Sequence, residues 1–221
     1  MKDLRLSNVV AMVVVGMLGI AAIVLLPSLG QDGRLVASGE LDARAAARFQ
    51  DGRGLSPCEG GAHHVVPAAL DRLATLGEPT PELTVVIAPT FSDIQVVAFS
   101  GLTIRTYRFV GQTGFNAPSA AWFRPDPAVI SNVTLDHVNY HAVHASISRH
   151  IRFAMTARVL GLDGTSYYFG RGRSECAVAW SPRTGQAGLI AEILAEASRG
   201  VPSERALVAL ASEIDRLDQM Y

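Results

Sequence analysis

LTVVIA (Leu83–Ala88), IQVVAF (Ile94–Phe99) and LTIRTYRFV (Leu102–Val110) are the stretches that decide the fold. The first is an unbroken apolar run rich in β-branched side chains, the pattern of a buried strand. Ser100-Gly101 separates the second from the third, the spacing of a tight hairpin in which glycine supplies a positive φ.

C-terminal to these strands, Gly111–Pro127 shows no periodicity and is long for a loop, and long ordered loops often bind something. It carries Trp122 and Phe123, read either as a plug at the edge of the core or as a ligand platform, with the plug expected. A helix of about 25 residues is predicted next, from Asn132 or Thr134 to Leu160, with Gly161 ending it. Ser166–Phe169 and Glu175–Trp180 read as a second hairpin around Gly170-Arg171-Gly172-Arg173. A helix over Gly188–Ala197 follows. The last helix is capped by Ser203, and its Leu207, Leu210, Ile214, Leu217 and Tyr221 form one apolar stripe. That stripe is expected to dock on the core.

N-terminal to the strands, Pro67–Leu76 is a short helix closed by Gly77, and Glu78-Pro79-Thr80-Pro81 is a loop. Gln31–Ser56 is polar and rich in alanine and glycine. It reads as a tether with a short helix over Leu41–Phe49. Strands, then a helix, then a hairpin and two helices is an α+β order. The expected domain, residues 57–221, is a mostly antiparallel sheet with helices on one face.

Val9–Leu26 holds eighteen consecutive uncharged residues, roughly 27 Å of helix, close to the thickness of a bilayer's hydrocarbon core. Lys2 and Arg5 precede it, which places the N-terminus in the cytoplasm and the rest of the chain across the membrane. Residues 1–30 are thus expected to be a retained single-pass anchor, since the run exceeds the core of an ordinary signal peptide. A cleaved signal ending near Ser28-Leu29-Gly30 is the alternative, and both readings export the domain. The mid-span glycines Gly16 and Gly19 lack the four-residue spacing of a helix-dimer motif.

Hydrophobic residues make up 49% and charged residues 18% of the 221, with a formal net charge of −1. A chain so balanced has no electrostatic case for nucleic acid. Lys2 is the only lysine beside eighteen arginines, and alanine is abundant, a bias that points to a GC-rich bacterial genome. The same fact removes whole classes of chemistry from the exported part. Ser/Lys dyads, Schiff bases and a phosphate-loop lysine all need a lysine that is not there. Gly-x-Ser-x-Gly is also missing. In a bacterial chain Asn132-Val133-Thr134 reads as a helix start and not as a glycosylation acceptor.

Cys58 and Cys176 are the only cysteines, and an even count in an exported chain suggests a disulfide. Closing so long a loop contributes about 4–5 kcal/mol in the chain-entropy description. The rival reading makes Cys58 a nucleophile with His63 or His64 as its base. Its surroundings, Ser56-Pro57-Cys58-Glu59-Gly60-Gly61, match no nucleophile signature.

Three of the six histidines, His137, His141 and His144, fall at i, i+4 and i+7 on the long predicted helix. That spacing puts them within about 60° of arc. Imidazoles one turn apart can share zinc or another transition ion, with Asp136, His150, His63 or His64 as a further ligand. The first and third are about 10.5 Å apart along the axis, so one ion takes two of them more easily than three. Val138 stands where a zinc-protease helix carries glutamate. Semi-buried structural histidines, or a face that repels itself near pH 6, are the competing readings. Gly170–Arg173 is read as a solvated hairpin tip, with an anion cradle as its alternative.

Two functions follow. One is a non-enzymatic, membrane-anchored envelope protein that binds or scaffolds a membrane or cell-wall complex through another envelope protein. The other is a metal-binding protein or metal-dependent hydrolase built on the histidine face.

Overall fold

The computed structural model describes residues 54–114, 121–154 and 164–220, all within the unit spanning residues 47–221. The predicted anchor Val9–Leu26, most of the tether with its helix Leu41–Phe49, the end of the long helix at Leu160, and Tyr221 lie outside the described residues. No helix among the described residues is long and apolar enough to cross a membrane.

The elements in chain order are β1 (Ser56–Pro57), a 3-10 turn (Gly60–His64), α1 (Val65–Thr75), β2 (Leu83–Pro89), β3 (Ile94–Ser100), β4 (Thr103–Phe109), β5 (Ala128–Thr134), α2 (His137–Arg152), β6 (Thr165–Arg171), β7 (Glu175–Trp180), α3 (Gly185–Ala197) and α4 (Glu204–Met220). The strands form one seven-stranded sheet in the order β1-β7-β6-β2-β3-β4-β5, every neighbouring pair antiparallel. The architecture is α+β, as the element order implied. Ser100 pairs with Thr103 across the β3–β4 hairpin, and Gly101 takes φ +60° in its two-residue loop, a value that side-chain-bearing residues avoid.

Side-chain alternation sends the two halves of each central strand to opposite cores. Leu83, Val85, Ile87, Val97, Phe99, Ile104 and Phe169 meet α2, α3 and α4 on one face. Val86, Ala88, Ile94, Val96, Ala98, Tyr107 and Phe109 meet α1, Trp122 and Phe123 on the other. The expectation of helices on one face is therefore corrected: α1 covers the opposite face. The reason is already in Leu83–Ala88, all of whose residues are buried, because a strand apolar on both sides needs cover on both.

A second correction concerns the long helix. Asn132-Val133-Thr134 is not its start but the end of β5, a strand that begins just after the predicted loop and that the sequence reading did not assign. The helix begins at His137, capped by Asp136, whose carboxylate accepts from the Asn139 backbone N–H at 2.8 Å, and it ends at Arg152. Ser203 Oγ accepts from the Ala206 N–H at 3.3 Å at the start of α4. The α4 stripe docks on the core, with Leu207, Ala211 and Ile214 fully covered. Thr106 and Ser131, buried on β4 and β5, both donate to the Ala197 carbonyl and so satisfy a buried carbonyl at the C-terminal end of α3.

Candidate functional site

Asp136 fixes the first turn of α2, and that turn carries the histidine cluster. The structure brings two of the three together. His137 and His141 are solvent-exposed, with ring centroids 4.2 Å apart and Nε2 atoms 3.1 Å apart. His144 turns away from them. Its ring stacks on Tyr140 at 5.7 Å and meets the edge of Phe99 at 6.5 Å. Its Nε2 lies 3.8 Å from Glu82 Oε2 and 3.5 Å from Ser148 Oγ. Burial pushes the His144 imidazole below its ordinary range, with the Glu82 carboxylate working against that shift and His141 and Arg171 adding to it. Tyr140 donates to Glu82 at 3.4 Å, and burial raises its phenol well above the usual value.

The other proposed ligands stand elsewhere. His150 is buried at the far end of α2, with Nε2 3.4 Å from Asp218 Oδ2 of α4. Asp136 is occupied by Asn139, from whose backbone N–H and Nδ2 it accepts at 2.8 Å each. His63 and His64 sit on the 3-10 turn before α1. No group of three or more histidine, cysteine, aspartate or glutamate side chains converges on one point among the described residues.

Cys58 is bonded to Cys176, with Cα atoms 5.5 Å apart, well inside the reach of a disulfide. The bond occupies the thiol that the nucleophile reading needed. Trp122 and Phe123 are each 5% exposed, packed on Tyr168 at 6.0 Å and Phe109 at 5.2 Å respectively, which is the position of a plug and not of a platform. The guanidiniums of the Gly170–Arg173 segment are already paired, Arg171 with Glu175 at 3.4 Å and Arg173 with Asp71, so they are not gathered around an anion.

Two features had no warning in the sequence. One is a cavity of about 110 Å³ lined in part by Leu73, Glu78, Pro81, Arg105 and Tyr107. Arg105 donates to Glu78 at 2.6 Å there, so its charge is neutralised inside the wall, and burial pushes the Tyr107 phenol up to about 12. The other is β5, the outermost strand at one side of the sheet. Leu135 N–H donates to Leu102 O at 2.9 Å, and pairing with β4 alternates from there, so Val133 and Ser131 bond inward. The main-chain groups of Asn132 and Thr134 face outward and have no partner among the described residues. Ala128–Thr134 contains no charged residue, and Val129 is 55% exposed.

No protein-family model matches the chain, and no curated protein or solved structure matches it significantly.

Proposed function

We propose that the chain is a single-pass protein of a bacterial inner membrane whose periplasmic domain is a non-enzymatic docking module, binding an extended segment of another envelope protein along β5. The observation that carries this reading is the outer edge of β5. Sheet edges left open are templates for another strand, and stable proteins commonly guard them with charge, proline or cover. Ala128–Thr134 has none of the first two, and the main-chain groups of Asn132 and Thr134 point away from β4. An added strand gains main-chain hydrogen bonds of about 1 kcal/mol net each, and alternate side chains supply selectivity. The address is supported by the uncharged run Val9–Leu26 behind Lys2 and Arg5, and by a disulfide suited to an oxidising compartment.

The test uses a photo-crosslinking residue placed at Val129, Asn132 or Thr134 in the full chain, in cells. One discrete crosslinked species is expected from these positions and none from Val201, which is 90% exposed on the α3–α4 connection. Asn132→Pro then separates docking from folding. Proline there removes an outward N–H while leaving the inward ladder intact, and it restricts Ser131, a β5 strand residue, to extended backbone. The crosslink should disappear while thermal unfolding stays close to that of the parent. Equal crosslinking at Val201, or an unchanged product in Asn132→Pro, sinks the proposal.

A further inference from the structure

We propose that His137 and His141 form a two-imidazole clamp for a divalent first-row transition-metal ion, independent of the β5 edge. The first support is the spacing of the donors. Nitrogens 3.1 Å apart, each about 2.0–2.1 Å from one ion, subtend an angle of roughly 95–102° at it. That lies between the right angle of a cis pair in a square or octahedral sphere and the tetrahedral angle. The two nitrogens already stand at chelating distance; the ring whose Nε2 carries the bridging proton has to take the Nδ1–H tautomer, so that both neutral rings present an Nε2 lone pair.

The second support is how firmly the turn is held. Asp136 binds both the backbone N–H and Nδ2 of Asn139, and Asn139 Nδ2 also donates to Glu204 Oε1 of α4 at 2.8 Å. Asn139 sits between the two histidines in sequence, so the backbone that carries them is pinned to its own cap and to a second helix. Tyr140, 1% exposed, anchors the same turn in the core, and its ring meets His141 edge-on at 5.7 Å. Little ordering entropy is left to lose on binding, the condition under which two ligands suffice for measurable affinity. A helix N-terminus disfavours a cation, but here the carboxylates of Asp136 at the cap and of Glu204 on α4 both bind Asn139 beside that turn and offset it.

The donor type selects the ion. Two neutral imidazoles suit Cu(II), Ni(II) and Zn(II) over Mg(II) or Ca(II), and Cu(II) should bind tightest. Both rings are exposed, and no third protein ligand joins them among the described residues. The remaining coordination positions are therefore open to water or to a donor from outside the chain. The clamp is a binding site and is assigned no reaction.

Cu(II) and Zn(II) are titrated into the purified, metal-free full chain in detergent, followed by calorimetry and, for Cu(II), electron paramagnetic resonance. The expected result is one Cu(II) per chain with hyperfine structure from two nitrogens. His137→Asn and His141→Asn should each weaken binding at least about tenfold, since either loss leaves a single ligand, while His144→Asn leaves it unchanged. Zn(II) should raise the unfolding temperature of the parent and not that of the doubly substituted chain, a readout that also shows the variant folds. Undiminished Cu(II) binding in the double variant overturns the assignment. So does no uptake at about 100 µM metal, which would leave the pair as a simple N–H···N hydrogen bond.

Discussion

Replacing Cys58 and Cys176 together by serine removes a bond that closes a loop of 118 residues and holds β1 against β7. Chain entropy sets the scale. For a loop of 118 residues the unfolded chain loses roughly 16 cal/mol/K when crosslinked, which is about 5 kcal/mol at 25 °C. The folded state gives little back, since Cys58 is buried and its N–H still donates to Cys176 O at 3.4 Å whatever the sulfurs do. With a denaturant slope of about 2 kcal/mol/M, the urea midpoint should fall by about 2.5 M. The assay is equilibrium unfolding of the oxidised parent, the reduced parent and the double-serine variant by circular dichroism. Reduced parent and variant should coincide, because both lack only the crosslink. A drop under about 1 kcal/mol would refute the loop-entropy reasoning. It would mean that the unfolded chain is already restricted, or that β1 and the 3-10 turn detach without unfolding the sheet.

Two further predictions follow from contacts inside the domain. Gly170→Ala should cost about 1–3 kcal/mol, because a Cβ at this β6 position overlaps Val66 on α1, itself 1% exposed; adding Val66→Ala should recover part of the loss in the same unfolding assay. Burial pushes the Asp218 carboxyl up, but the His150 contact, Arg149 and Gln186 together outweigh it and hold it below the ordinary aspartate range. A carboxyl depressed in the folded state stabilises above its unfolded value of about 3.9 and ceases to do so as pH falls through the lower folded value. Acid titration of unfolding stability should therefore show a steeper loss below about pH 4 in the parent than in Asp218→Asn, and identical acid limbs would count against the pairing.

The fold was legible where periodicity was strong. Leu83–Ala88, Ile94–Phe99, the Ser166–Trp180 hairpin and the Leu207/Ile214 stripe all lie in elements of the expected type. It was not legible where two signals competed in one stretch. In Ala128–Thr134 the residues Val129, Ile130 and Val133 are β-branched, which suits a strand, but Asn132 and Thr134 imitate a helix cap and read as one. Tertiary pairing with β4 decides for the strand and moves the cap to Asp136. The covering of both sheet faces was implicit in the unbroken run of β2, yet it takes α1 to realise it. For the histidines, helical spacing correctly placed His137 and His141 side by side. It had no means of locating Glu82, 62 positions before His144, or of seeing that Tyr140 would hold that ring against the core.

The two sides of the sheet carry different protection, and the proposed docking on β5 rests on that difference. On one side the last strand is β1, only two residues long, with a disulfide beside it. So short a strand offers little ladder to extend. On the other side β5 offers seven residues; a bulge leaves Ile130 without a partner on β4, so the regular part of its ladder is Ser131–Thr134. The nearest acids, Asp126 and Asp136, stand just outside the strand at each end, and both are engaged, with Arg72 and Asn139 respectively. Charge is thus available on both flanks and missing from the segment where it would repel an incoming strand. An uncharged edge of this length exposes the chain to unwanted pairing, and occupation by a partner relieves that exposure. Ile130→Lys, which restores a charge to the edge, should act as Asn132→Pro does on docking while leaving the core helices untouched.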